Sequence, residues 1–305
     1  MRIAVMGQAA FGEAVLKRLI EDGHEVAGVS APQPVEGGRS DPLWAAGEAA
    51  RLPLTDTASL KTDAGLQQWR NLQPELCVMA FVTTIVPMEA LEAPKLGTIQ
   101  YHPSLLPLHR GASAMNWAII NGDTETGLSI FWPDRGIDTG PILLQRRVDI
   151  TREDTLGTLY FGKLFPMGVD AISESVALVA AGNAPRLEQK QELGTYEPVC
   201  SDEHAGIAWY APAEWVSALI RGCNPSPGAW TTFEGQRLRI YDCALAGHQV
   251  AGLPGTVLSV DETGFDVRLN GDVLRIARVQ PEGEKKLAAG EWAANVGLKA
   301  GFRFR

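Results

Sequence analysis

The sequence predicts an α/β protein, with a mostly parallel sheet in its first two thirds and a smaller antiparallel β-barrel after it. Three observations carry this prediction. The chain opens with a strand, a helix and a second strand inside its first 30 residues, a βαβ unit that implies parallel pairing through a right-handed crossover. Apolar, β-rich runs return at residues 75–82 and 97–103. Beyond residue 200 the texture changes to short strands separated by turn signals, the pattern of a small barrel.

Taken in order, "RIAVMG" reads as a buried strand, residues 7–12 as a glycine turn, and "EAVLKRLIEDG" as a helix closed by Gly23. "HEVAGVS" is the second strand. "ELCVMAFV" and "GTIQYHP" are further strands, with "VPMEALEAP" as a short helix between them. Two strand-like runs then flank the loop "PDRGIDTG". After residue 200, "PAEWVSALIRGCN" has helical spacing, and five strands follow: "GAWTTFEG", "QRLRIYDCAL", "GTVLSVDETG", "FDVRLNG" and "VLRIARVQ". These place a catalytic domain at residues 1–203 and a barrel domain at 204–305, with the boundary after the proline-containing "TYEPVCSDEH". There is no internal repeat.

Composition narrows the function classes. Hydrophobic residues make up 45% and charged residues 21% of the chain, and no apolar run approaches the roughly 20 residues that span a bilayer. The first residues lack the long apolar core and cleavage site of a secretory signal, so a cytoplasmic location is expected. Cys77, Cys200, Cys223 and Cys243 are far apart and form no CxxC pair, which predicts buried free thiols rather than a disulfide framework. A net charge of −9 opposes broad binding to DNA, RNA or anionic membrane, all of which need concentrated Lys and Arg.

The strand–turn–helix opening raises a nicotinamide or flavin site. Its turn, Gly-Gln-Ala-Ala-Phe-Gly, lacks the central glycine of GxGxxG, and the second strand ends at Val29, Ser30 and Ala31 without the ribose-binding acid. A tight structural turn is the better reading, and no NAD(P) is expected.

The chemistry concentrates in two stretches. In "IQYHPSLLPLHRGASAMNW", His102 follows directly on a strand, at the strand end where open α/β sheets bind ligands. In "GLSIFWPDRGIDTGPILLQRRVDI", Asp138 stands in a loop where Gly136 and Gly140 permit tight backbone geometry. If the loops meet, an imidazole and a carboxylate share one cleft, a pair suited to proton transfer or to polarising a carbonyl. Spacing alone leaves the plainer readings open: a packed histidine after a strand, and an Asx turn at Asp138. No metal site is expected, because His109 is the only other nearby His and no HExxH or Cys cluster accompanies it. Ser104 lies between prolines with no GxSxG elbow, which argues against a serine hydrolase.

At these residues the sequence resembles the folate-dependent formyltransferases. "HPSLLPLHRGASAMNW" and "GLSIFWPDRGIDTGPILLQ" carry the resemblance, and "GQAAFG", "PMEALEAPKLGTIQYHPSLLP", "DTLGTLYFGKLFPMGV", "NAPRLEQKQELGTYEP" and "IRGCNPSPGAW" extend it over nearly the whole chain. It is most similar to the hydrolase domain that begins the 10-formyltetrahydrofolate dehydrogenases, and it is similar also to the methionyl-tRNA formyltransferases. The resemblance implies a Rossmann-like first domain and an OB-like barrel, with 10-formyltetrahydrofolate as the formyl donor. It assigns to His102 the stabilisation of the oxyanion at the formyl carbon, and to Asp138 the orientation or deprotonation of the nucleophile. The pterin is expected against Phe81, Val82 and Ile85 and against the loop of Gly136, Ile137 and Asp138.

Two departures accompany the resemblance. Most of the family's transferases place Asn two residues before the His, where this chain has Gln100. Gln also donates to an oxyanion, but its amide sits about one bond length further out, and misplacement of order 1 Å can cost 10²-fold. Gln100 fits the dehydrogenase subgroup and leaves open whether water or a small amine is the acceptor. The second departure is that the sequence stops at Arg305, from which the carrier and aldehyde dehydrogenase domains are expected to be missing.

A tRNA acceptor is not expected. Residues 201–305 hold 11 Lys and Arg against 12 Asp and Glu, and residues 31–53 hold Arg39 and Arg51 against Glu36, Asp41 and Glu48. Arg221, Arg237, Arg239, Arg275 and Arg278 are the residues from which a local basic patch would have to be built. The readings carried forward are formyl removal from the folate to a small amine or water, a methionyl-tRNA formyltransferase, and a folate-binding protein with weak catalysis. The sequence does not specify an oligomeric state.

Overall fold

The computed structural model describes residues 1–304, which divide into two compact units. The first comprises residues 1–112, 127–148 and 163–196. The second comprises residues 113–126 and 149–162 and the chain from Glu197 onward.

The first unit is built on strands β1 (Arg2–Gly7), β2 (Glu25–Ala31), β3 (Leu54–Asp56), β4 (Leu76–Ala80), β5 (Thr98–His102), β6 (Glu125–Phe131) and β7 (Ile142–Asp149). They form one sheet in the order β3-β2-β1-β4-β5-β6-β7, parallel from β3 through β5. β6 reverses direction against β5, so the sheet is mostly parallel. The reversal is permitted because the residues before β6 form no crossover that would return the chain to the starting edge.

Helices α1 (Ala9–Glu21), α2 (Pro42–Ala49), α3 (Asp63–Asn71), α4 (Met88–Leu91) and α7 (Phe165–Ala180) accompany this sheet. β1 and β4 are buried along almost their whole length, as strands covered on both faces are, whereas β7 turns exposed beyond Leu144. Ala4, Met6, Cys77 and Met79 form one core cluster with Trp69 of α3, whose indole Nε1 donates to the Ala90 carbonyl at 3.1 Å. Elsewhere, Phe11 of α1 packs on Tyr101 of β5 and Phe165 of α7, with ring centroids 4.5 and 5.3 Å apart.

Helix α1 starts at Ala9, inside the stretch expected to be turn, and Gly12 lies within it. Two glycines of that turn are explained by packing. A Cβ on Gly7 would come within 2.1 Å of the Ala80 carbonyl oxygen, and one on Gly12 within 2.9 Å of the Leu43 side chain. The α1 N-terminus already holds an anion, since the Asp41 carboxylate accepts from the Ala9 amide at 2.8 Å and from the Leu43 amide at 2.9 Å. One carboxylate thus caps two helices at the place where a dinucleotide fold would put its pyrophosphate.

The second unit contains α5 (Ala114–Ile120), α6 (Leu156–Leu159), α8 (Ala213–Gly222) and α9 (Ala289–Val296). Its strands are β8 (Ala229–Phe233), β9 (Gln236–Ile240), β10 (Cys243–Leu245), β11 (Val257–Asp261), β12 (Gly264–Arg268), β13 (Val273–Ile276), β14 (Arg278–Pro281) and β15 (Leu287–Ala288). They make two four-stranded antiparallel sheets, β10-β13-β12-β11 and β15-β14-β9-β8. Both contribute to one core with α8 and α9, in which Trp209 stacks on Phe304 and Phe233 meets Trp292 edge-on.

Two of the five expected strands are each broken into two. "QRLRIYDCAL" becomes β9 and β10, and "VLRIARVQ" becomes β13 and β14, because the chain passes from one sheet to the other at Tyr241–Asp242 and at Ala277. α9, capped by Gly297 in the left-handed region at φ 67°, lies outside the expected elements. The four cysteines are free thiols; Cys77, Cys200 and Cys223 are buried and Cys243 is half-buried. No described helix is long and apolar enough to cross a membrane.

Candidate active site

β5 ends on His102, whose backbone pairs with Ser129 of β6. The chain that follows is held against the sheet by side chains. Ser129 Oγ accepts from the Leu106 amide at 3.0 Å and donates to the Ser104 carbonyl at 2.7 Å, and Gln145 Nε2 donates to the Leu106 carbonyl at 2.9 Å. Ser104 is buried and its hydroxyl donates to the Leu108 carbonyl at 2.6 Å, a structural use of that side chain. The loop therefore turns back, and His109 presents its carbonyl to His102.

His102 Nε2 donates to the His109 carbonyl oxygen at 2.8 Å, while Nδ1 lies 3.5 Å from Asp138 Oδ2. One ring nitrogen thus faces a backbone carbonyl and the other a carboxylate oxygen. The same Oδ2 accepts from the Gly111 amide at 2.9 Å. The side chains of the pair are 6% and 10% exposed, which places an imidazole and a carboxylate together away from bulk water, where solvent screens their interaction little. Oδ1 is the carboxylate oxygen that neither His102 nor Gly111 engages.

The Asp138 loop is a constrained turn. Asp134 Oδ1 accepts from the Gly136 amide at 2.9 Å and from the Thr139 hydroxyl at 2.6 Å. Gly140 passes so close to β6 that a Cβ there would sit 1.8 Å from the Trp132 carbonyl oxygen. Asp138 itself is in the left-handed region at φ 54°, as are His109 at 53° and Phe81 at 63°. Three non-glycine residues in that region, one of them a bulky aromatic, mark stored backbone strain at these loops.

Of the residues singled out from sequence, His102 and Asp138 come together directly. Gln100 is half-buried two positions before His102, on the same face of β5 by strand alternation. Gly136 and Ile137 share the Asp138 loop, with Ile137 51% exposed. Phe81, Val82 and Ile85 lie on the loop after β4, the strand beside β5. Phe81 and Ile85 are 43% and 78% exposed, whereas Val82 packs against the core cluster of Met79 and Leu91. A cleft of about 90 Å³ opens at the carboxyl ends of β1 to β4, bordered by Gln8, Asp56, Thr57, Val82 and Thr84, where the strand order reverses. Among the described residues no group of three His, Cys, Asp or Glu is placed to hold a metal ion.

Sequence reasoning did not find the residues that hold this pair in place. The His109 carbonyl and the Gly111 amide are backbone groups and carry no side-chain signal. Gln189 and Gln191 lie some 50 residues beyond Asp138; the only trace of them was the stretch "NAPRLEQKQELGTYEP", which has no recognisable chemistry of its own.

Comparison with known proteins bears on this geometry. The formyl transferase family matches residues 1–164, and the formyl transferase C-terminal domain matches residues 200–297. The cytosolic 10-formyltetrahydrofolate dehydrogenase of Xenopus laevis is 38% identical over 96% of this chain, which spans only 34% of that protein's length. Methionyl-tRNA formyltransferase of Moorella thermoacetica is 36% identical over 95% of this chain and 94% of its own. Among solved structures, WlaRD, a sugar 3N-formyl transferase crystallised in the presence of dTDP and 5-N-formyl-THF, shares the fold with a TM-score of 0.70 at 17% identity. The match covers 93% of this chain and 99% of that one. The chain belongs to the formyl transferase family.

Proposed function

We propose that this protein removes the formyl group from 10-formyltetrahydrofolate and delivers it to a small amine or to water, with His102, Asp138 and Gln100 as the catalytic residues. The observation that carries the reading is the enclosed His102–Asp138 pair, 3.5 Å apart at the carboxyl end of the sheet. In this account Asp138 Oδ1 receives the proton of the attacking water or amine. The proton on Nδ1 is held between His102 and Asp138 until the departing folate nitrogen needs one. Gln100, on the same strand face, offers its amide to the oxygen that becomes negative at the formyl carbon. Exposed Phe81, Ile85 and Ile137 offer apolar surface to the flat pterin, and the loop carbonyls and amides offer hydrogen bonds.

The charge arrangement of the second unit favours a small acceptor over tRNA. Arg237 and Arg239 both bind Asp202, Arg275 binds Asp261 and Asp266, and Arg278 binds Asp242. Arg221 donates to the Asp154 carbonyl at 2.8 Å. Arginines neutralised by neighbouring carboxylates release few counterions on meeting a phosphate backbone. The test is tetrahydrofolate release from 10-formyltetrahydrofolate, followed by absorbance, without acceptor, with a panel of amines, and with charged initiator tRNA. Release in water alone assigns a hydrolase, and release only with an amine assigns a transferase. Formylation of the tRNA overturns the acceptor assignment, and no release under any condition overturns the activity.

A further inference from the structure

We infer that Gln189, backed by Arg110, is the positioning residue that holds Asp138 in its strained conformation against His102. The buried Gln189 amide donates through Nε2 to two carbonyls of one loop, Asp138 at 2.9 Å and Gly140 at 2.7 Å. Gln191 Nε2 donates to the carbonyl between them, Thr139, at 3.0 Å. Three successive carbonyls are thus held from outside the loop, where no regular ladder could reach a left-handed turn.

Arg110 fixes which way these amides face. Its Nη2 donates to Gln189 Oε1 at 2.8 Å and to Gln191 Oε1 at 2.7 Å, so both side-chain nitrogens must turn toward the loop. The backbone on either side of Arg110 holds the reacting pair itself: His109 contributes the carbonyl that receives His102 Nε2, and Gly111 the amide that binds Asp138 Oδ2. The segment is anchored in turn by Thr195, whose hydroxyl accepts from the His109 amide and whose carbonyl accepts from the Arg110 amide. Residues 109–111 and 189–195 therefore form one frame that sets the separation of His102 and Asp138. The Gln189 and Gln191 amides donate to backbone oxygens, so these side chains position the loop and do not relay a proton.

The kinetic arm of the test rests on the activity proposed above; the spectroscopic arm does not. In the full chain labelled with ¹⁵N-histidine, His102 is one of five histidines and its ring signals are assigned by their loss in His102→Gln. Gln189→Met, which keeps the volume and removes the donors, is expected to move the His102 Nδ1 signal in the same direction as Asp138→Asn. In an Asp138→Asn background it should add less than about a third of that change, because the partner through which it acts is gone. Tetrahydrofolate release should show kcat lowered about 10- to 100-fold, with KM within about 3-fold. Gln189→Glu, which keeps the size and the Arg110 partner while placing an acceptor against the carbonyls, serves if the Met variant does not fold. An unchanged His102 signal overturns the inference, and so does a shift that persists undiminished beside Asp138→Asn. A wild-type protein without turnover but with the expected shifts removes the formyl-transfer reading and leaves Gln189 in its role; turnover with flat spectra does the reverse.

Discussion

The loop site at residues 102–140 and the antiparallel second unit use charge in opposite ways. In the second unit, carboxylates and guanidiniums neutralise each other side chain to side chain, as Asp202 does with Arg237 and Arg239. At the site, Asp138 is held by a backbone amide and a histidine that lies at 3.5 Å, and no ion pair between it and an arginine is found among the described residues. The contrast teaches where chemistry can occur. A guanidinium favours the charged carboxylate and so opposes its taking up a proton, whereas an imidazole beside a carboxylate is a partner that can itself carry one.

The comparison breaks most severely at Asp138. Asp138→Asn keeps the shape and the Gly111 contact but removes the proton acceptor, and turnover should fall about 10³-fold or more while folate affinity stays within about 3-fold. Steady-state kinetics beside a fluorescence binding titration checks both halves. Gly140→Ala should cost about 10²-fold in kcat by moving the same loop, since the added Cβ cannot be placed 1.8 Å from the Trp132 oxygen. A crystal structure of that variant should show Asp138 displaced from His102. Gln100→Asn retracts the amide by about one bond length and should lower kcat by about 10-fold, leaving KM for the folate nearly unchanged.

The smallest effect on activity belongs to the other side of the comparison. Asp202→Asn should leave turnover within about 2-fold and lower the melting temperature at neutral pH by a few degrees. The hydrogen bond from Arg239 holds the Asp202 carboxyl below its ordinary range, against the opposing effect of burial. A carboxylate whose folded pKa is depressed contributes stability that is present above its unfolded pKa and is lost as the pH falls through the folded one. The gap in melting temperature between wild type and Asp202→Asn should therefore be constant near neutrality and close below about pH 4, the unfolded carboxylate range. Differential scanning calorimetry across pH 2.5–7 reads this directly, and a gap that widens on acidification would contradict the sign.

Much of the fold was legible because it is written in local patterns. "RIAVMG" and "ELCVMAFV" are apolar on both faces, which only a covered parallel sheet tolerates, and both are core strands. The breaks between β9 and β10 and between β13 and β14 were not legible, because Tyr241 and Ala277 continue the strand pattern while the chain changes sheets. α5 was equally hidden: it stands in the first half of the sequence and belongs to the second unit, a matter of tertiary packing that periodicity does not record. At the site, His102 and Asp138 could be read from their glycine- and proline-bounded loops. The Gln189 frame could not, since a glutamine that binds backbone carbonyls looks in sequence like any polar surface residue.

The central claim is that His102 and Asp138 act as one unit, and a double-mutant cycle in single-turnover formyl transfer tests it most directly. His102→Asn, Asp138→Asn and the double variant are mixed in excess with 10-formyltetrahydrofolate and the best acceptor, and the rates are compared with wild type. The account predicts that the double variant is no slower than the slower single variant, within about 3-fold, because removing either member removes the shared proton. Losses that multiply, so that the double variant is slower by the product of both, would show two independent groups and contradict it.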